Sequence, residues 1–254
     1  MQAQYALAGQ KILVTGGGSG IGLATATRMA QQGADVCINH LAHDVRAEVA
    51  VKHLQEQGLS VFASPGDVGH PDHARAMVDR ALQQLGGLTL LVNNAGTPGT
   101  TKKIEPRDLD LVDETLWHTV LEVNLLGVFR CSKAAAPALT ASQGAIVNIA
   151  STAEMGQVGS SMAYGASKAG VVNLTQNLAR ALAPHVRVNG VAPGAVDSTW
   201  MVEWTPEQKQ FSIDKSLLKR RATPDDIADI VMFLGFSAHM VTGQIIIADA
   251  GRGL

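Results

Sequence analysis

The sequence predicts an α/β fold, a three-layer arrangement in which a doubly wound parallel sheet of about seven strands lies between helices. Three observations predict it. Short apolar runs alternate with longer helical patterns along all 254 residues. The runs, such as Ile12–Val14 and Leu90–Val92, are apolar at consecutive positions rather than alternating, as expected for strands buried on both faces. A glycine-rich turn follows the first of them directly.

The elements follow in order. Lys11–Thr15 reads as a buried strand, and a helix runs from about Ile21 to Gln32. Asp35–Asn39 is a second strand, and Val45–Gln57 a helix closed by Gly58. Ser60–Ala63 is the third strand. Pro71–Leu85 is helical, with Pro71 suited to a first turn and Gly86-Gly87 ending it. Leu88–Val92 is strand four, and one long helix is expected from about Glu114 to Leu139. Strand five is Ala145–Ala150, followed by a helix over Met162–Ala183 and a sixth strand over Val186–Val191. A helix at Pro224–Phe236 and a strand at Gln244–Ala248 complete the chain. No linker divides it, so 1–254 is expected to be one domain. Two irregular stretches, Thr97–Asp113 and Ala195–Arg221, follow strand carboxyl ends and should overhang a ligand crevice, the second as a substrate lid.

Composition narrows the function. Twenty Lys and Arg face 22 Asp and Glu, for a formal charge of −2. This leaves no basic footprint for nucleic acid and no polybasic membrane patch. Cys37 and Cys131 sit among apolar neighbours and cannot make a disulfide framework. The start lacks a leader pattern, and no apolar run approaches a membrane span. A reducing cytoplasm is the natural compartment. His40–His43 and His70–His73 have H-x-x-H spacing but no third ligand placed with them, so no metal is expected.

The turn Thr15-Gly16-Gly17-Gly18-Ser19-Gly20-Ile21-Gly22 lies between the first strand and first helix. A pyrophosphate needs backbone N–H groups, a helix N-terminus and no side chains in the way, and this turn offers all three. Later, Tyr164-Gly165-Ala166-Ser167-Lys168 sets a phenol and an ammonium four residues apart, on one helix face. Moving a hydride at a carbinol carbon requires a proton to move on its oxygen. A free phenol is a poor base near neutrality, and a fixed cation beside it favours phenolate. Ser151 ends strand five at the same sheet edge and can hydrogen-bond a substrate oxygen. Asn124 lies among apolar residues of the long helix, where a buried amide needs partners.

These residues resemble the short-chain dehydrogenases/reductases over essentially the whole chain. The family's T-G-x-x-x-G-x-G is met by Thr15, Gly16, Gly20 and Gly22, its N-N-A-G by Asn93-Asn94-Ala95-Gly96, and its Y-x-x-x-K by Tyr164 and Lys168. The resemblance implies a Rossmann fold, an NAD(P) cofactor and a CH–OH or ketone substrate. It implies a catalytic set of Tyr164 as acid/base, Lys168 as pKa-lowering cation and ribose ligand, Ser151 as carbonyl orienter and Asn124 as relay. It also implies cofactor contacts at Thr15, Gly16, Gly18, Ser19, Gly20, Ile21 and Gly22; at Asn39 and His40 by the adenosine ribose; and at Asp67 and Val68 by the adenine. Further contacts fall at Asn94, Ala95 and Gly96, at Pro193-Gly194 against the nicotinamide, and at Val196 with Ser198 or its neighbour Thr199. Relatives usually assemble as homotetramers through long helices and the last strand, and the Ala-rich faces of Gly127–Leu139 and Gly170–Ala183 and the segment Gln244–Leu254 are compatible with that.

Cofactor and substrate remain open at this level. His40 stands where NAD-using relatives carry Asp, so the acid that would accept from a ribose 2′-OH is missing. His40, His43 and Arg46 could gather about a 2′-phosphate, which leans the reading to NADP or dual use. Ala153, Glu154, Gln157, Trp200, Met201 and Trp204 are the candidate substrate walls, partly apolar. Lys102, Lys103 and Arg107 could meet an acidic substrate, although interleaved acids favour a solvated rim. The alternatives to a ketone or alcohol substrate are a 3-oxoacyl thioester on a carrier protein, and a nucleotide-sensing protein without catalysis.

Overall fold

A computed structural model describes residues 4–156, 159–198 and 204–254. Seven strands form one parallel sheet: β1 (Lys11–Val14), β2 (Asp35–His40), β3 (Val61–Pro65), β4 (Leu90–Asn93), β5 (Ala145–Ile149), β6 (Arg187–Pro193) and β7 (Ile245–Ala248). Their order is β3-β2-β1-β4-β5-β6-β7, with Ile12 paired to Val36 on one side and to Leu90 on the other. The strand order reverses between β1 and β4. The carboxyl ends of those two strands therefore open a crevice, because the chain leaves them in opposite directions.

Eight α-helices accompany the sheet: α1 (Gly20–Gln31), α2 (Val45–Glu56), α3 (Pro71–Leu85), α4 (Glu114–Leu121), α5 (Gly127–Ser142), α6 (Met162–Leu182), α7 (Pro206–Asp214) and α8 (Pro224–Phe236), counted among the described residues. Strand side chains alternate between two cores, as the pleat requires. Ile12, Val14, Val36 and Ile38 pack with Met29 of α1, Leu54 of α2 and Val231 of α8. Leu13, Cys37 and Leu91 pack on the other face with Met77 of α3, Cys131 of α5 and Ala179 of α6. Both cysteines are free and buried, and burial pushes each thiol up to about 12.

Strand bounds agree with the sequence reading within two residues. The expected single helix Glu114–Leu139 is instead two, α4 and α5, joined by a wide turn over Glu122–Leu126 in which Gly127 N–H reaches back five residues to Glu122 O. Apolar periodicity continues through that turn, so periodicity alone cannot detect it. The stretch Ala195–Arg221 contains α7, held by a capping box in which Thr205 and Gln208 satisfy each other's backbone N–H groups. Its apolar residues Phe211 and Ile213 do not recur at helical spacing, so only the Thr-Pro-Glu-Gln start signals the helix.

Between sheet and helices runs a buried polar chain. Asn93 Nδ2 donates to Asn148 Oδ1 at 2.8 Å and to Ser132 Oγ at 3.0 Å, and Asn148 Nδ2 donates to Thr175 Oγ1 at 2.9 Å. It ties β4 and β5 to α5 and α6 just below the carboxyl edge of the sheet.

At the crevice, a Cβ on Gly22 would lie 2.5 Å from Gly16 O and 2.5 Å from Asn94 Nδ2. Neither neighbour can retreat without breaking the turn. Gly22→Ala is expected to lower unfolding stability by about 1–3 kcal/mol, read by urea or thermal denaturation.

Candidate active site

The glycine turn is fixed by the ends of β4 and β2. Asn94 Nδ2 donates to Thr15 O at 3.0 Å and to Gly16 O at 2.9 Å, while Thr15 Oγ1 accepts from Asn94 N and Ala95 N. Gly17 N–H donates to Asn39 O at 2.9 Å, and Gly16 N–H to Asn39 Oδ1 at 3.2 Å. Gly16 and Gly20 adopt positive φ, 59° and 52°, and a Cβ on Gly16 would meet Ala95 Cα at 2.7 Å. Ser19 caps α1 in extended geometry but makes no side-chain bond to the helix, and the first turn of α1 carries no acid. Its N–H donors and dipole are therefore offered toward the crevice, a donor set that fits a pyrophosphate. Gly20 faces Ser198 across 3.8 Å, measured from the position a Cβ would take. Gly194, after β6, could not carry a Cβ either, since Asp249 would lie 2.8 Å away.

Asn124 is fully buried in the wide turn between α4 and α5. It accepts from Thr97 N–H at 2.7 Å and donates to Thr97 O at 3.0 Å and Ser167 Oγ at 3.1 Å. Ser167 in turn donates to Tyr164 O at 2.7 Å. Asn124 thus joins the exit of β4 to the Tyr164–Lys168 segment of α6. A Cβ added at Gly96 would stand 3.3 Å from Asn124 Oδ1 and 3.7 Å from Lys168 Nζ, which shows how closely these groups converge.

Ser151 follows β5 and caps a short 3₁₀ turn, Thr152–Met155, by accepting from Ala153 N–H at 3.2 Å. Its hydroxyl also hydrogen-bonds the Tyr164 phenol. Tyr164 sits in the first turn of α6, where its N–H donates to the Ser161 cap at 3.2 Å. Lys168 is 4 % exposed, lies 5.8 Å from the centre of the Tyr164 ring, and donates to Ile149 O at 2.7 Å. Burial lowers the Lys168 ammonium to about 8, opposed by the Glu154 carboxylate. Burial pushes the Tyr164 phenol up to about 12, opposed by its bond to Ser151. Removing the phenolate from water costs more than the bond to Ser151 returns.

The short chain dehydrogenase model matches residues 10–210. The chain belongs to the short-chain dehydrogenase/reductase family. It is an NAD(P)-dependent oxidoreductase acting on CH–OH or keto groups. It is 34 % identical over 244 residues to a 3-oxoacyl-(acyl-carrier-protein) reductase of Staphylococcus aureus, covering 94 % of this chain and 96 % of that one. It is 36 % identical over 252 residues to the cis-4-hydroxycyclohexanecarboxylate dehydrogenase of Sinomonas cyclohexanicum, covering 97 % of each. Among solved structures, a short chain dehydrogenase from Burkholderia cenocepacia in complex with NADP superposes with a TM-score of 0.87 at 32 % identity, over 98 % of this chain and 100 % of that one.

The outer site residues of this dehydrogenase/reductase are less uniform. His40 is 4 % exposed; its Nδ1 meets Leu41 O at 2.9 Å and its Nε2 has no hydrogen-bond partner. His43 is exposed, and Arg46 extends into solvent with Asp44 3.6 Å away. Asp67 accepts from Gly69 N–H at 2.8 Å, and Val68 is wedged against Gly127, where a Cβ would stand 2.9 Å away. Val196 pairs with Ala222, and its carbonyl accepts from Arg221 at 2.7 Å. Trp204 lies against the Arg221 guanidinium, 5.1 Å from ring centre to Cζ. Gln157, Thr199, Trp200 and Met201 lie outside the described residues. Lys103 pairs with Glu105 at 2.8 Å and Arg107 faces Asp108 at 3.8 Å, the self-neutralised rim that the interleaved charges suggest. Sequence reasoning missed Ser161, Ser167 and the Thr97 main chain. The Ser161-Met-Ala-Tyr164 start is a readable cap signal, whereas the Thr97 contact depends on chain placement alone.

Asn124 acts as donor twice and acceptor once, so a carboxylate cannot replace it. Asn124→Asp is expected to cost at least about 2 kcal/mol of stability in urea denaturation, since two buried acceptors lose their donor.

Proposed function

We propose that this enzyme reduces ketones, or oxidises the matching secondary alcohols, with Tyr164 as the acid/base, Lys168 as its cation and ribose ligand, Ser151 orienting the substrate oxygen and Asn124 completing the relay. The observation that carries the reading is the convergence of three chain segments on one spot: Asn124 between α4 and α5, Ser151 after β5, and Tyr164 with Lys168 on α6.

In reduction, Tyr164 gives its phenolic proton to the oxygen on which charge develops. The Ser151 hydroxyl donates to the same oxygen and holds it in line. Lys168, fixed by Ile149 O, opposes the negative charge left on Tyr164. A phenol pushed up to about 12 keeps its proton until substrate oxygen takes it, which suits the acid role. The nicotinamide, when bound, supplies the hydride in one direction, and in its oxidised form the positive charge that favours phenolate in the other. Thr15 to Gly22 and the N-terminus of α1 would hold the pyrophosphate, with Asn94, Ala95, Gly96, Pro193, Gly194, Val196 and Ser198 along the remainder. Asp67 and Val68 would face the adenine, and Ala153, Glu154 and Trp204 the substrate.

A second substrate class is favoured by one finding, the match to a 3-oxoacyl-(acyl-carrier-protein) reductase. NADP or dual cofactor use is supported by the absence of an acid at His40 and by the neighbour in complex with NADP. We further propose a single domain over 1–254 working in the cytoplasm as a homotetramer. Two buried free thiols suit a reducing compartment. An apolar groove of Leu125, Leu126, Phe129 and Leu174 between α5 and α6, with Ile247 half-exposed on the edge strand β7, suits subunit contacts.

Tyr164→Phe is expected to lower kcat by about 10²–10⁴-fold with nucleotide binding retained, because it removes the transferable proton and the hydroxyl's bond to Ser151 while keeping the ring; a kcat within tenfold of the native value contradicts the role. A panel of a cyclic ketone, an aldose and a 3-oxoacyl thioester, each with NADH and NADPH, separates the substrate classes by kcat/KM. Free ketones with NADPH or with both nucleotides are the expected preference, and a strong NADH preference contradicts the cofactor assignment.

A further inference from the structure

Resting on the reading that Val196 borders the cofactor and Trp204 the substrate, we infer that Arg221 is a positioning residue for the reaction: its guanidinium holds Trp204 to the main chain that carries Val196.

Arg220 and Arg221 are consecutive but serve different ends. Arg220 is half-exposed and binds Asp226 in the first turn of α8, with Nη2 donating to Oδ1 at 2.8 Å. Arg221 is turned inward, its side chain 10 % exposed. Its neighbour Ala222 pairs with Val196: Ala222 N–H donates to Ala195 O at 3.1 Å, and Asp197 N–H to Ala222 O at 2.7 Å. This pairing sets the two ends of the excursion between β6 and α8 side by side. Arg221 then reaches across the pair, Nη2 donating to Val196 O at 2.7 Å and Nη1 to Asp197 Oδ1 at 3.1 Å. The Val196–Asp197 peptide is thus held at its oxygen by Arg221 and at its nitrogen by Ala222. The guanidinium carbon also lies over the Trp204 ring, 5.1 Å from its centre. A planar guanidinium suits both tasks, since its edge donates while its face stacks; an ammonium has no such plane.

The three contacts are unequal. Asp197 is 69 % exposed, so water screens its charge and the ion pair adds little. Val196 O and the Trp204 ring are the partners that fix the guanidinium. Arg221 Nε is shielded from solvent and has no acceptor. An unpaired buried donor is a cost that an apolar side chain of similar length would not carry, so packing alone does not account for a guanidinium here. The chain after α7 is tied down separately, Leu217 and Leu218 N–H donating to Ala250 O at 2.9 and 3.2 Å. Arg221 ties the other end, where Trp204 precedes α7. Asn124, Ser151, Tyr164 and Lys168 stand on other elements, so losing the guanidinium should displace Trp204 and loosen substrate while leaving the acid/base set in place.

In the full-length enzyme, Arg221→Met is expected to raise KM for the best carbonyl of the panel about fivefold or more, with kcat within about threefold of native. Asp197→Asn, which removes only the exposed ion-pair partner, is expected near native in both. Trp204→Leu should raise KM as Arg221→Met does, and the double variant about as much as the worse single one, since both remove the same contact. An unchanged KM in Arg221→Met, with or without a fall in kcat, means that Arg221 only braces the fold. Single effects that multiply in the double variant mean that the two residues act apart, and an Asp197→Asn effect equal to that of Arg221→Met gives the role to the ion pair. Each of these overturns the inference. If the Met variant does not fold, Arg221→Gln, which keeps a donor for Val196 O and loses the stacked cation, takes its place. Tryptic cleavage after Lys209 and Lys215, mapped by mass spectrometry without substrate, is expected to be about fivefold or more faster in the Arg221 variant, and an unchanged rate also overturns the inference. A native enzyme that binds nucleotide but turns over no carbonyl of the panel overturns the substrate reading, while the cleavage rate still decides the role of Arg221.

Discussion

The close approach between the turn after β1 and the turn after β4 governs the rest of the molecule. Parallel neighbours whose chains depart in opposite directions leave a gap at their carboxyl ends, and the two exits must be held apart from helices yet close to each other. Gly16 comes near enough to Ala95 that a Cβ would overlap it, and the Asn94 amide binds the Thr15 and Gly16 carbonyls. That contact sets the direction in which α1 leaves the sheet, and so where its unpaired N–H groups point. It also fixes where the chain runs through Gly96 to Thr97, which meets Asn124.

Buried amides and hydroxyls carry this arrangement across the sheet edge. Asn93, Asn148, Ser132 and Thr175 form a connected set beneath the site, and Asn124, Thr97 and Ser167 form another beside it. In a low-dielectric interior such sets specify one geometry, because a shifted partner leaves a donor or acceptor unpaired. The wide turn at Glu122–Leu126 belongs to the same logic. It costs regular helical bonding and in return brings Asn124 inward, where a continuous helix would have carried its side chain elsewhere.

Charge is handled differently from polarity. The cation Lys168 and the carboxyl Glu154 are both drawn out of water, and each is shifted toward its neutral form by that burial. Two groups so displaced toward neutrality sit closer to the working pH than either would in solution, the condition in which protons move readily. Tyr164 is shifted toward its neutral form by the same force, but away from the working pH, which keeps it an acid. Solvent exclusion, more than any one pairing, sets the proton affinities of the site.

The order of strands and helices, the glycine turn and the Tyr164–Lys168 spacing were determined by the sequence itself, because each depends on local period, conformational freedom or helical geometry. Pro71, the Gly86-Gly87 stop and the bounds of α8 needed nothing more. The division of the long helix at Asn124, the pairing of that amide with the Thr97 main chain, the inward turn of the Glu154 carboxylate and the burial of His40 did not follow from any local pattern. Only the tertiary structure decided them, since desolvation and long-range hydrogen bonding depend on which distant segments close over a residue, and no window of sequence contains those segments.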